Sequence, residues 1–148
     1  MRDKRAVGFE IRTLNNMIMR KMESIAVRHG EDAPTMSHGW ILGYLYNHGD
    51  EDIYQRDIEK MFKLSRSAVT SILKILEERG CIKRQSVEFD ARLKKIVILP
   101  KGIEIYKMSL EDIQIMDNIL ERNISKEDLK AFYRVMDQAK KNLIESEQ

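Results

Sequence analysis

The 148-residue chain is short of the residues on which several large protein classes depend. Its single cysteine, Cys81, cannot close an internal disulfide, which excludes a disulfide-stapled scaffold and fits a reducing, cytoplasmic setting. Only two prolines and seven glycines interrupt it, so long helices are permitted. No apolar run approaches the roughly 20 residues that span a bilayer. The basic opening MRDKRAVGFEIR has no uninterrupted apolar segment behind it, so no secretory signal is expected. Gly-rich phosphate loops, H-E-x-x-H and nucleophile motifs are all missing, and Glu77-Glu78 and Glu111-Asp112 read as helix-surface charges. The expectation is a non-enzyme. His29, His38 and His48 have no ligand spacing with one another or with Cys81, so neither metal nor cofactor is expected.

The 26 basic and 24 acidic side chains nearly cancel overall, and the imbalance is local. The net charge is +2. Residues 1–51 hold 7 basic and 7 acidic side chains, residues 52–101 hold 12 and 7, and residues 102–148 hold 7 and 10. The middle third is therefore +5 between flanks of 0 and −3. A localised positive segment is the electrostatic footprint of a polyanion-binding surface.

Within that segment lies SRSAVTSILKILEERG, Ser65 to Gly80. Ser65 can cap a helix and Gly80 sits where one stops. Val69, Ile72, Leu73 and Leu76 recur at i, i+3, i+4 and i+7, one apolar stripe. The opposite side offers Arg66, Ser67, Thr70, Ser71 and Lys74, with no acid before Glu77. Cations, short hydroxyls and the positive end of a helix dipole suit phosphates and base edges. Just upstream, Ile53, Asp57, Ile58, Met61 and Phe62 read as a short amphipathic helix, and Lys63-Leu64-Ser65 as the break. Two helices joined by a tight turn form a helix-turn-helix, with Lys63 in the positive-φ position that usually favours Gly or Asn. Downstream, Ile82–Val87 and Leu93–Leu99 read as strands of a hairpin whose tip carries Arg92, with Lys94 and Lys95 nearby.

The flanks are helical. A first helix is expected from residue 7 to about 29, with Ile11, Leu14, Ile18 and Ile25 on a seam and Gly30 ending it. After Glu31-Asp32-Ala33-Pro34, Thr35 caps a second helix reaching about Asn47. A further helix is expected from Ile103 to about Leu120, and a last one opens at Ser125-x-x-Asp128, which resembles a capping box. In it Leu129, Phe132, Met136, Ala139 and Leu143 form a stripe.

LSRSAVTSILKILEERGCIKR (Leu64 to Arg84), the D-x-R of Asp90 and Arg92, and ILPKG (Ile98 to Gly102) together resemble the MarR family of winged helix-turn-helix regulators. Leu99 departs from it, standing where members often have a capping Thr. The resemblance covers essentially the whole chain. It implies a mainly α fold with a small β-hairpin, in which a winged helix-turn-helix domain (about 35–100) is flanked by dimerisation helices (about 7–29 and 103–147). It implies a homodimer on near-palindromic double-stranded DNA, acting as a transcriptional regulator, more often a repressor. Ser65, Arg66, Ser67, Thr70, Ser71 and Lys74 would then meet the major groove. Arg92 would enter the minor groove, Asp90 would orient it or a neighbouring cation, and Lys94 and Lys95 would meet phosphates. Family members commonly answer to a small aromatic or anionic effector; Met17, Arg20, His38, Trp40 and Tyr44 are the candidate lining, with ordinary core packing as the open alternative. Redox-sensing relatives place their cysteine in the first helix, which has none here, so Cys81 reads as a buried thiol. The competing reading is a helical protein–protein adaptor that keeps the winged fold without binding DNA.

Overall fold

Helix α1 (Val7–Ala26) ends before the expected residue 29, and a 3-10 segment, Val27–Asp32, continues the chain. Gly30 lies in that segment with φ 64°, a conformation open to glycine without strain, and turns the chain out of the helix. The computed structural model describes residues 6–33 and 35–147; the basic residues 1–5, Pro34 of the following connection and Gln148 lie outside them. Thr35 caps α2 (Met36–Asn47), its hydroxyl accepting from the His38 N–H at 3.2 Å.

Helix α3 (Gln55–Phe62) starts where the Asp57 carboxylate accepts from the Tyr54 N–H at 2.8 Å. It ends at Lys63, whose φ of 53° puts it in the left-handed region, as expected from the turn. Leu64 N–H then bonds back to Glu59 O at 3.1 Å, closing the helix end. A non-glycine residue there costs about 1–2 kcal/mol. Helix α4 (Arg66–Glu78) follows after only three residues, and Gly80, at φ 72°, reverses the chain behind it.

Strands β1 (Ile82–Val87) and β2 (Asp90–Ile98) form an antiparallel hairpin. β2 begins at Asp90, three residues before the expected Leu93, and Glu88-Phe89 form the tip in place of Arg92. The difference is a register break. Ser86 pairs with Lys94 but Val87 pairs with Asp90, so Ala91, Arg92 and Leu93 bulge out of the ladder. Helix α5 (Pro100–Leu120) starts three residues before the expected Ile103, because Pro100 suits a first helical turn. Helix α6 (Lys126–Glu145) is capped by Ser125, whose hydroxyl accepts from the Asp128 N–H at 3.0 Å. The reciprocal half of the expected capping box differs. Asp128 accepts from the Ser125 hydroxyl at 2.7 Å.

The chain divides after Gln114 into two compact units. The first has one core. Ile41, Leu42 and Leu45 of α2, Ile58 of α3, Val69, Leu73 and Leu76 of α4, Ile82 and Ile96 of the hairpin and Ile105 of α5 close on one another, with Cys81 fully buried among them. Burying a side chain the size of Leu73 contributes about 1.5–3 kcal/mol. Two close approaches fix the frame of α4 and the hairpin. Ile96 N–H reaches Ile53 O at 2.8 Å, and a Cβ on Gly102 would fall 2.3 Å from Cys81 O. Only glycine lets the start of α5 lie against that backbone.

The second unit holds the end of α5 and α6. Helix α6 buries no residue; Leu129, Met136 and Ala139 of its stripe are half-buried, and Phe132 and Leu143 are exposed. The first turns of α1 likewise leave Phe9, Ile11, Leu14 and Met17 exposed.

Candidate nucleic-acid interface

The apolar stripe of α4 packs inward, with Val69, Leu73 and Leu76 fully buried, and this turns the opposite face outward. Arg66, Ser67, Thr70, Ser71 and Lys74 are all exposed. Ser65 caps the helix by accepting the Ala68 N–H at 3.2 Å, and its hydroxyl lies 3.2 Å from that of Ser67. Ser65, Arg66, Ser67, Thr70 and Ser71 border one open depression at the positive end of the helix.

A second feature brings the hairpin to the same side. A cleft of about 310 Å³ opens between α3, α4 and β2, bordered by Arg56, Arg66, Arg84, Arg92 and Lys94, with Glu59 as its single carboxylate among the described residues. Tyr54 and Gln55 complete its α3 wall, and the Arg56 guanidinium stands 5.6 Å over the Tyr54 ring. Arg92 sits in the bulge of β2, where its side chain is re-aimed out of the ladder. Asp90 holds that bulge by accepting the Arg92 backbone N–H at 2.9 Å; it orients the chain rather than the guanidinium.

The cations are not equivalent. Lys95 pairs with Asp52 at 3.1 Å and borders a different depression, shared with Asp50, Glu51 and Asp52. Strand alternation separates it from Lys94, whose ammonium donates to Ser86 Oγ at 2.9 Å on the cleft side. Arg84 lies 3.4 Å from Glu77, and Lys74 lies 3.9 Å from Glu78. Among the described residues, Arg66 and Arg92 have no ion-pair partner. Arg56, over the Tyr54 ring, and Lys94, on the neutral Ser86 hydroxyl, likewise pair with no carboxylate among those residues, so these four cations of the cleft are available to an incoming anion.

Sequence reasoning passed over Tyr54, Gln55 and Arg56. Gln55 stands 15 positions before Thr70, yet its amide donates to Thr70 Oγ1 at 2.8 Å, to Glu59 Oε1 at 3.1 Å and to Arg66 O at 3.3 Å. No local pattern announces such a contact; the crossing of α3 and α4 creates it.

The five residues considered for an effector divide. Met17 and Arg20 are exposed on α1, and Trp40 is half-exposed on α2. Tyr44, four residues on, packs against His48 and edge-on against Phe62, and its phenol is pushed up by burial and then by Asp57 and Glu51. His38 is buried with Nδ1 unbonded among the described residues, and burial, then Arg79, holds its imidazole below the ordinary value. A cluster that the sequence did not indicate lies elsewhere in the first unit. Asp112, expected with Glu111 as a helix-surface charge, is instead buried on α5, where it takes Arg28 Nη2 at 2.6 Å and His29 Nε2 at 2.9 Å; only Glu111 is exposed.

The arrangement belongs to a known set of proteins. The model of the MarR family matches residues 34–93, which span α2 to the bulge of β2. The uncharacterized HTH-type transcriptional regulator YwhA of Bacillus subtilis (strain 168) is 33% identical over 99 residues, covering 66% of this chain and 69% of that protein. The fold is similar to that of S. aureus MepR in its complex with DNA, with a TM-score of 0.81, 22% identity, and coverage of 93% of this chain and 96% of that one. It is also similar to the heme sensor PefR of Streptococcus agalactiae in complex with heme, with a TM-score of 0.66, 20% identity, and coverage of 94% and 95%. No described helix is long and apolar enough to cross a membrane. Because a third of the 99 aligned residues agree with those of a helix-turn-helix regulator over 69% of that protein's length, and the family model matches residues 34–93, the chain belongs to the MarR family of transcriptional regulators.

Proposed function

We propose that this regulator is a cytoplasmic homodimer that holds a near-palindromic operator, with α4 of each subunit in a major groove and the bulge of β2 along the adjoining minor groove. The observation that carries the reading is the face shared by α4 and β2, where Arg66 and Arg92 stand exposed without a neutralising partner among the described residues. Ser65, Ser67 and Lys94 are assigned to phosphates, Thr70 and Ser71 to base edges, and Arg92 to the minor groove, whose narrow A·T-rich stretches attract arginine. Lys74 and Lys95 serve less directly, since each faces a carboxylate. Residues of about 35–100 form the reading domain.

The exposed apolar faces of α1 and α6 support a second copy as their cover, since patches of this kind mark association surfaces. Two copies related by a two-fold axis would hold their α4 helices about one DNA turn apart. A small aromatic or anionic effector, lodged near Met17, Arg20, His38, Trp40 and Tyr44, would act by binding the DNA-competent and incompetent states unequally, and repression is the simpler output.

The test is a mobility shift with DNA from upstream of the gene at two salt concentrations, joined to sedimentation. Salt-sensitive binding by a dimer is expected. A sole 17.4 kDa species at micromolar concentration would reject the dimer. No salt-sensitive shift with any promoter fragment would favour the adaptor reading.

A further inference from the structure

We propose that Gln55 is a positioning residue that fixes which way the Thr70 hydroxyl points, and so fixes the kind of base that α4 accepts. The inference rests on the reading of α4 as the major-groove helix. Two of the three partners of the Gln55 amide, the Glu59 carboxylate and the Arg66 carbonyl, can only accept hydrogen bonds. They hold the NH₂ group, and not the amide oxygen, toward α4. The shortest of its contacts, 2.8 Å, is to Thr70 Oγ1. A hydroxyl oxygen that accepts there must turn its own proton elsewhere, and Thr70 is exposed on the outer face of α4. Thr70 is thereby presented as a donor.

Its neighbour is set the opposite way. The Ser71 hydroxyl donates to Ser67 O at 3.0 Å, one turn back along the helix. Its proton is held inside the helix and its lone pairs face outward, so Ser71 is presented as an acceptor. In the major groove guanine O6 and N7 and thymine O4 accept, while cytosine N4 and adenine N6 donate. Thr70 therefore favours guanine or thymine at the base it faces, and Ser71 favours adenine or cytosine at its own. Without Gln55 the Thr70 hydroxyl would rotate freely and serve either role.

The experiment selects bound sites from a random duplex pool with the full-length protein and with Gln55→Met, Gln55→Glu and Thr70→Val. The wild type should enrich an acceptor base at one position of each half-site. Gln55→Met should flatten that position alone, by about three- to tenfold, the scale of one hydrogen bond. Gln55→Glu loses all three donated bonds and is repelled by the Glu59 carboxylate and the Arg66 carbonyl, so it should flatten the same position as Gln55→Met does. Thr70→Val, an exposed change that leaves the fold intact, should flatten the same position. Wild-type preferences retained at every position by both Gln55 variants would overturn the proposal. So would a uniform loss of affinity for all sequences by Gln55→Met with a native melting curve, which would make Gln55 a phosphate contact. No salt-dependent enrichment by the wild type would instead remove the underlying reading of α4.

Discussion

Replacing Arg92 with alanine separates the charges that face DNA from those that merely occur near them. Arg92 sits in the bulge of β2, on the cleft shared with Arg66 and Lys94, and among the described residues it has no ion-pair partner. Lys95, three residues on, is tied to Asp52 at 3.1 Å on a different depression. Each phosphate neutralised on a duplex contributes about −0.9 to the slope of log K against log salt concentration. A dimer carries two copies of Arg92, so Arg92→Ala should make the slope shallower by about 1.8 and lower affinity about 60-fold at roughly 0.1 M salt. Lys95→Ala removes the same formal charge and should leave the slope unchanged. The assay is fluorescence anisotropy of a labelled operator fragment at five salt concentrations, with thermal melts to verify folding. Equal slopes for Arg92→Ala and wild type would take Arg92 out of the interface. Equal losses for the two variants would mean that net charge, and not placement, governs binding, and the division of the hairpin into two faces would fall.

Three further outcomes follow from the core. Gly102→Ala should destabilise the protein by about 3 kcal/mol, lowering Tm by roughly 10 °C, because the new methyl must displace the Cys81 carbonyl; an unchanged Tm would refute the close approach. His38 is held neutral by burial and by Arg79, while the unfolded chain takes up its proton at the ordinary value of 6.5. The unfolded state thus binds the extra proton as pH falls below 6.5, so stability declines from that point downward, until the folded form titrates too. His38→Phe should flatten this acid limb in urea melts collected from pH 7 to 5, and an unaltered limb would assign it to other groups. Asp112→Ala should cost about 2 kcal/mol, less than a fully buried pair would, because Arg28 is half-exposed and rehydrates. In a double-mutant cycle with Arg28→Ala the two effects should be less than additive, and strict additivity would show that the 2.6 Å contact carries no coupling.

The sequence alone carried the elements whose signals are local. Ser65, Thr35 and Ser125 act as caps because a short hydroxyl reaches an amide within the first turn, whatever the rest of the chain does. The stripe of α4 is legible because a 3.6-residue period places Val69, Leu73 and Leu76 on one side and Arg66, Thr70 and Lys74 on the other. Lys63 is legible as the positive-φ residue because a helix-turn-helix turn usually needs one such residue where the first helix stops. What the tertiary structure decided depends on which elements meet. The bulge at Ala91–Leu93 arises from pairing with β1, and it moved the hairpin tip from Arg92 to Glu88-Phe89. Lys94 and Lys95 are alike in sequence and part company only because a strand sends successive side chains to opposite faces with different neighbours. Gln55 meets Thr70, and Arg28 meets Asp112 across 84 positions, through helix crossings that no periodicity encodes. Local geometry chose the helices and their exposed chemistry; packing chose which charges are cancelled and which hydroxyl faces which way.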